Sequence, residues 1–536
     1  MSSFDEGDGQ GVLMSAAVQA LNAFDSPALV LHGRIVPVEG DVIDDGALYI
    51  RGGKIIAVQT RTAPPPAGFE TIKPVDTKGT MYPGMLDLHN HLVYNVITPW
   101  AVPQRFDSRA QWRTNKSYKE QISAPLGVLA KNPSTIPALV RYVETKALVS
   151  GTTAVQGMRS SWKPTETFFS GAVRNFEVTG DKDLPAAGTK IDDVDFKRPE
   201  KVDEFRKAVA AATQRNAAMF YHLCEGIDEK TRKHYTDLTA GNLLAKCVAA
   251  IHCLALNGDD FTSLDGIGCN IVWSPLSNSL LYGKTLDPKL LVNRRFTIGC
   301  DWSPSGGKNL LEELKVAWLT IQEAGADVPA RALVEAVTKN AAAAVGWQKA
   351  LGTLEPDKYA DLVVIAGKTG DPYKHLIMAT EEGVRLVLIA GYARYGDKGL
   401  MELIPSAGPN REPLTVGKKK KVIDNFDPGA KLDISFEEAR KRLVKAMADL
   451  PAAQQELQDV LATGAALGIE PLMLDNEGEE EGADPEALFA AAAAVEVPQS
   501  VPLDPLTVVG DKTHFDRIEA IAHLPKHLKK LRELYS

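Results

Sequence analysis

The sequence predicts an α/β protein: a (β/α)8 TIM barrel with a small composite β-sandwich domain from both flanks and a C-terminal, mainly helical extension. Three observations carry that prediction. Short apolar strands alternate with amphipathic stretches from Met81 to Leu351, and this repetition over about 270 residues suits an eight-fold barrel, whose usual size is ~250 residues. β-Branched runs broken by glycine stand on both sides of that region. Beyond Gly396 the pattern turns helical.

Taken in order, "ALVLHGRIVPVEG" and "ALYIRGGKIIAV" from Ala28 read as strands of a small antiparallel sheet. A similar pattern returns in "GTLEPDKYADLVVIAG" and "VRLVLIAGYARYG", so residues 28–80 and 352–420 are assigned to one sandwich. Residues 81–351 are assigned to the barrel. Its strands are "TTAVQGM", "RNFEVTG", "AAMFYHL", "KCVAAIH", "CNIVWSP" and "FTIGCDW", separated by helical stretches such as 202–215 and 310–324. Residues 421–536 form the extension, where Ser435 and Glu438 stand in capping-box spacing and start a helix. The acidic tract Asn476 to Asp484 reads as a flexible loop, and the tail from Thr513 as a helix. The extension is expected to pack or to mediate oligomerisation rather than to do chemistry.

Composition excludes several classes. Hydrophobic residues make up 44% and charged residues 24% of the 536, which is ordinary for a globular chain. A formal net charge of -9 repels nucleic acid phosphates, and the basic run Lys418 to Lys421 reads as a solvated connector. The five cysteines match neither a zinc knuckle nor a disulfide scaffold, so a reducing, cytoplasmic setting is expected. The acidic start "MSSFDEGDGQ" is unlike a signal peptide, and Val12 to Phe24 is too short and polar to span a bilayer.

Chemistry in such a barrel collects at the carboxyl ends of its strands. In "PGMLDLHNHL", His89 and His91 stand two apart, and on a strand such residues share a face. His222 ends "AAMFYH" and precedes Glu225 in "HLCEG"; His252 ends "VAAIH"; Asp301 ends "FTIGCD". Four of the ten histidines in the chain occupy these strand ends. Buried, backbone-satisfied histidines explain any one of them but not the set, whereas His and Asp are the usual ligands and proton handlers of a hydrolytic metal site.

The motifs "PGMLDLHNH", "HLCEG", "IHCLAL", "SPLSN" and "GCDWSPSG", in that order, resemble the amidohydrolase superfamily, in particular its chlorohydrolase, cytosine and guanine deaminase and imidazolonepropionase branch. The resemblance covers about Ala28 to Gly396 and leaves the extension outside. It implies that His89, His91, His222 and Asp301 bind one divalent metal, zinc first and iron second. It further implies that His252 hydrogen-bonds the substrate oxygen or the attacking water, and that Glu225 shuttles the proton. Elementary chemistry agrees: a metal with an open position lowers the pKa of bound water to ~7. Asp301 can then take the proton, His252 can stabilise the oxyanion and Glu225 can protonate the leaving nitrogen.

Binuclear relatives use a carboxylated lysine. Lys190, near the start of "GTKIDDVDF", is expected to point away from the mouth, which favours one metal. Trp273 stands just before "SPLSN" where several deaminases carry a histidine, and Asn278 is read as holding that loop. "PSGGKNLLEEL" lacks the spacing of a phosphate loop.

Candidate substrate-binding residues are Tyr94 and Trp112 in the loop after the first strand, Arg159 in "QGMRSSW" and Trp302 beside Asp301; packing of that loop weighs equally. The function expected is metal-dependent hydrolysis of a non-peptide carbon–nitrogen bond, a cyclic or linear amide, in a small molecule. The alternatives are an aminohydrolase of an N-heterocycle and, from another class, a non-catalytic barrel scaffold. The resemblance implies a homo-oligomer; neither nucleic acid nor membrane is an expected partner.

Overall fold

The computed structural model describes residues 26–158, 172–179, 181–406, 411–425, 434–463, 471–478 and 484–535. Strands β1 (Leu29–Ile35), β2 (Ile43–Arg51), β3 (Lys54–Thr60) and β4 (Val75–Pro83) come first. Eight short strands follow: β5 (Met85–Asp87), β6 (Thr152–Val155), β7 (Arg174–Asn175), β8 (Gly188–Lys190), β9 (Met219–Leu223), β10 (Val248–His252), β11 (Asn270–Trp273) and β12 (Phe296–Ile298). Last are β13 (Leu362–Ala366), β14 (Val384–Ile389), β15 (Tyr392–Asp397), β16 (Arg411–Val416) and β17 (Lys419–Asp424).

Both flanks contribute to one nine-stranded sheet of order β16-β17-β15-β14-β13-β4-β1-β2-β3. The seam between the flanks is β4 against β13, antiparallel from Pro83 opposite Leu362 to Gly79 opposite Ala366. Alternate residues of these strands, among them Leu31, Leu48, Met81, Leu362, Val364, Leu386 and Leu388, share one buried cluster, as the period of two requires. The last strand runs on to Asp424, past residue 420, and takes in Lys419 to Lys421 of the basic run. Lys421 is buried there, its ammonium donating to Asp397 Oδ1 (2.7 Å) and to the carbonyls of Glu382 (3.0 Å) and Val384 (2.5 Å). Lys418 to Lys420 are exposed, as a solvated run requires; the reading is corrected at Lys421, which strand pairing turns inward to three acceptors.

β5 to β12 are parallel, in the orders β5-β6-β7 and β12-β11-β10-β9-β8. The Ala187 amide donates to Phe176 O (2.8 Å) between the β7 and β8 segments, and a parallel bridge pairs Asn90 with Asp301 beyond β5 and β12. The strands thus succeed one another in chain order around a ring. Leu86, Ala154, Phe220, Ala249, Ile251 and Val272 fall in one cluster, while their neighbours Met85, Val155, Tyr221, Ala250 and Ile271 fall in another. Both faces of these strands are buried, which is why they read as continuous apolar runs rather than as alternation. Helices such as Ile136–Val149, Pro199–Gln214, Glu229–Ala240 and Gly258–Ile267 connect successive strands, and Leu310–Ala324 follows the last.

The extension holds helices Phe436–Ala448, Leu450–Ala462, Pro485–Ala494 and Lys512–Glu519 and a closing 3-10 segment Lys526–Tyr535. Ser435 accepts from the Glu438 amide (3.1 Å) and caps the first of them. In the acidic tract, Asn476 is buried within a single 3-10 turn, Asp475–Glu477; residues 479–483 lie outside the described residues. No helix among the described residues is long and apolar enough to cross a membrane.

Buried charges fasten the extension to the ring. Lys146, in the helix Ile136–Val149, pairs with Asp504 Oδ2; Lys308 pairs with Asp504 Oδ1 (2.8 Å) and Asp511 Oδ2 (2.6 Å), and all four residues are buried. Burial pushes the Lys146 ammonium down to about 8, because desolvation disfavours the cation more than its neighbours restore it. Each lysine depends on carboxylates more than 190 residues away in sequence. Removing one partner of such a pair strands a charge in a dry interior. Asp504→Ala is therefore expected to lower unfolding free energy by about 3–5 kcal/mol, read from urea denaturation against wild type.

A candidate metal centre at the strand ends

β5 ends at Asp87, so His89 and His91 lie just past the strand rather than on it, correcting the expectation that a strand displays them. What aligns them is the Asn90–Asp301 bridge, in which the His91 amide donates to Asp301 O (2.6 Å) and the Asp301 amide to His89 O (2.8 Å). The two neighbours of the bridged Asn90 then project to one side. A Cβ on Gly299 would stand 2.4 Å from the His89 Cβ and 2.6 Å from its amide nitrogen, so only glycine lets these segments approach so closely. His222 is part of β9, with Phe220 two residues before it in the same cluster as Leu86 and Ile251. His252 (φ 70°) and Asp301 (φ 66°) lie in the left-handed region, an uncommon conformation for residues with a Cβ and one that gathers at functional sites.

These side chains meet. His89 Nε2 lies 3.1 Å from His222 Nε2, and Asp301 Oδ1 lies 3.5 Å from His89 Nε2 and 3.4 Å from His91 Nε2. Two donor groups result among the described residues, His89–His222–His252 and His89–His91–Asp301, with His89 common to both. Ligands at about 2.0–2.2 Å from a tetrahedral metal stand roughly 3.3–3.6 Å apart, so the spacings fit one divalent ion. Burial, then the neighbouring imidazoles, holds His89 and His222 well below the ordinary histidine range. Both rings are thereby kept neutral, so one nitrogen of each offers a lone pair, as a ligand must. Burial also lowers His91, but Asp475, Asp301 and Glu225 outweigh it and raise it. Asp301 is raised, chiefly by burial.

Outward hydrogen bonds fix the tautomers. His89 Nδ1 pairs with Ser274 Oγ (2.8 Å), His91 Nδ1 with Asp475 Oδ1 (2.9 Å) and His252 Nδ1 with Asn278 Oδ1 (2.9 Å). The carboxylate and the amide oxygen only accept, so Nδ1 of His91 and of His252 carries the proton and Nε2 is left as the inward lone pair. Thr285 Oγ1 accepts from Asn278 Nδ2 (3.2 Å) and from Trp273 Nε1 (2.7 Å), which orients the Asn278 amide. Ser277 donates to Asp301 Oδ2 (2.5 Å), leaving Oδ1 toward the histidines.

Glu225 closes one side. Its Oε1 accepts from Tyr282 (2.8 Å) and Trp112 Nε1 (3.3 Å), and its Oε2 lies 3.6 Å from His252 Nε2 and 3.8 Å from Arg109 Nε. Arg109 is itself held by the Ile191 carbonyl and Asp192. An aromatic wall covers the histidines: Trp302 lies 5.2 Å from Tyr94, 5.5 Å from Trp112, 6.0 Å from Tyr118 and 6.1 Å from His91 between ring centroids. Beside His91 and Tyr94 the free volume is about 10 Å³, bounded also by Gly157, Met158, Met473 and Asp475. That is room for a single water, which needs roughly 10–15 Å³.

Of the residues singled out in sequence, His89, His91, His222, His252, Glu225 and Asp301 lie together, and Tyr94, Trp112 and Trp302 stand against them. Arg159 lies outside the described residues. Lys190 ends β8 rather than beginning a strand, correcting that reading; it pairs with Tyr221, whose side chain belongs to the outer cluster, and it lines a separate cavity with Phe205 and Ala208. Asn278 does more than hold a loop, since it orients His252. Ser277 lay within the quoted "SPLSN", but nothing in the sequence signalled Asp475, 384 residues from His91.

The amidohydrolase family profile matches residues 80–394. A 5-methylthioadenosine/S-adenosylhomocysteine deaminase of Symbiobacterium thermophilum is 24% identical over 374 residues, 62% of this chain and 84% of that protein. Among solved structures, a zinc-bound adenosine deaminase from Xanthomonas campestris superposes with a TM-score of 0.51 at 17% identity, covering 77% of this chain and 98% of that one. Atrazine chlorohydrolase from Arthrobacter aurescens, complexed with zinc, gives 0.55 at 17% identity, with coverages of 68% and 94%. At these identities the structural likeness is one of fold. Protein purified without chelator is expected to carry about one zinc or iron per chain, and His91→Ala to lose it; elemental mass spectrometry reads both, and about two ions per chain would contradict the single site.

Proposed function

Because the chain belongs to the amidohydrolase family, and so is an enzyme that hydrolyses carbon–nitrogen bonds other than peptide bonds, we propose that it is a metal-dependent aminohydrolase releasing ammonia from an amino-substituted N-heterocycle. The observation that carries this reading is Glu225, one oxygen facing His252 and a guanidinium and the other held by an indole and a phenol. A scaffold has no use for such a group. The amide reading yields to deamination because of the deaminase relative and because the wall of Tyr94, Trp112 and Trp302 suits the flat face of an aromatic ring. The ring of parallel strands is read as a closed (β/α)8 barrel, the nine-stranded sheet as its composite β-sandwich domain and the extension as a third unit.

His89, His91, His222 and Asp301 would hold one zinc or iron ion, which when bound supplies Lewis-acid activation of water. The chain's own residues divide the remaining work. Asp301 Oδ1 accepts the proton of the attacking water. His252, its Nδ1 committed to Asn278, presents an Nε2 lone pair and so accepts from that water rather than donating to a ring nitrogen while it is neutral. Glu225 carries the proton to the departing nitrogen, held in place by Tyr282 and Trp112. Tyr94, Trp112 and Trp302 exclude water and orient the ring.

The test is ammonia release from a panel of aminopurines and amino-triazines set against cyclic and linear amides. Ammonia from at least one heterocycle is expected; hydrolysis of amides alone would return the reading to amide hydrolysis. Glu225→Gln is expected to lower kcat by about 10²–10⁴-fold with metal content unchanged. Wild-type turnover in that variant would remove Glu225 from the mechanism.

A further inference from the structure

The family match ends at residue 394, yet one side chain beyond it reaches the metal centre. The segment from Pro471 to Gly478 runs along helical turns that follow the first ring strand. The Leu472 amide donates to Ala130 O (3.0 Å), and Lys131 donates to Leu472 O (2.8 Å). Glu477 accepts from Tyr118 (2.5 Å) and Ser123 (2.7 Å). Between these anchors Asp475 Oδ1 meets His91 Nδ1 at 2.9 Å, with the Asp475 side chain 12% exposed and the His91 ring 1%.

Partner identity matters here. His89 and His252 take their outward bonds from Ser274 and Asn278, neutral groups inside the family match. His91 takes its bond from a carboxylate, and that carboxylate comes from the extension. A carboxylate on the far nitrogen of a ligating histidine fixes the tautomer and the ring plane and makes the near nitrogen a stronger donor. The near nitrogen, Nε2, is the one 3.4 Å from Asp301 Oδ1. Met473 and Asp475 also form the partition between the small space beside His91 and an outer cavity of about 380 Å³ lined by Asp192, Asp193 and Arg198. The same short segment therefore walls the site and supports one of its ligands.

We propose that Asp475 is a positioning residue for His91, so that the C-terminal extension completes the metal centre of this enzyme. The inference rests on His91 being a metal ligand, as read above. It makes metal retention, rather than chemistry alone, depend on a residue far outside the barrel.

The experiment is competition for zinc between a chromogenic chelator and the full-length protein, with folding followed by thermal melting, for wild type, Asp475→Ala, Asp475→Asn and Glu477→Gln. Asp475→Ala is expected to weaken zinc retention by about 10–100-fold. Asp475→Asn, which keeps an acceptor of the same shape without the charge, is expected to fall between it and wild type. Glu477→Gln, which touches the segment's anchor and not His91, is expected to retain zinc as wild type does. Wild-type retention in both Asp475 variants overturns the inference, as does equal loss in all three variants, which would point to docking of the segment as a whole. Wild type that takes up no zinc at all overturns both this inference and the metal-dependent reading beneath it, whereas tight zinc with no effect at Asp475 overturns this inference alone.

Discussion

Three imidazoles and a carboxylate gathered in one buried cluster, with nitrogens and an oxygen 3.1–3.5 Å apart, set the terms for the rest of this molecule. His89 and His222 face each other nitrogen to nitrogen at 3.1 Å, a contact that is repulsive between two bare lone pairs and favourable once a cation lies between them. Burial keeps both rings unprotonated. Neutral imidazoles choose which nitrogen keeps its proton, and a partner outside the cluster holds that proton away from the centre; His222 Nδ1, buried, makes no such bond among the described residues. Asn278 and Asp475 hold it for His252 and His91, and Ser274 stands in that position for His89.

The need for those outer partners explains features that otherwise look unrelated. Thr285 and Trp273 lock the Asn278 amide, so a tryptophan at a position read as a departure from the deaminase pattern becomes part of the support of His252. The left-handed backbone of His252 and Asp301 turns side chains toward the centre at the points where the strands end, at a cost of about 1–3 kcal/mol each. That strain persists because the strands around them are buried on both faces. The extension is held in the same way: Asp504 and Asp511 neutralise two buried lysines of the catalytic part, so it is not an appendage that can come and go without a large penalty.

Much of the centre was legible in sequence. His89, His91, His222, His252 and Asp301 could be found because each follows a short apolar run, and strand ends are where a parallel α/β ring places chemistry. Glu225 could be found because it follows His222 by three residues. The reason given for pairing His89 with His91 was incomplete, since a backbone bridge to Asp301 aligns them and not strand periodicity. Lys190 was misplaced along its strand because β8 is only Gly188–Lys190, too short for apolar patterning to mark its end. A basic run gives no hint that one of its members, Lys421, turns inward once its strand is paired on both sides.

Residue types and their order determined which groups meet: nitrogen and oxygen donors, a buried carboxylate beside them and an aromatic cover, all encoded locally and readable within a few residues of each strand end. What only the tertiary structure decided is which distant groups those residues lean on. The Asp475–His91 and Asp504–Lys146 pairs join residues more than 350 positions apart, and no periodicity, spacing or composition links the members of either pair. Such contacts are fixed by where the folded extension comes to rest against the ring, and a buried charge or a ligand's tautomer is satisfied there only after the chain has folded.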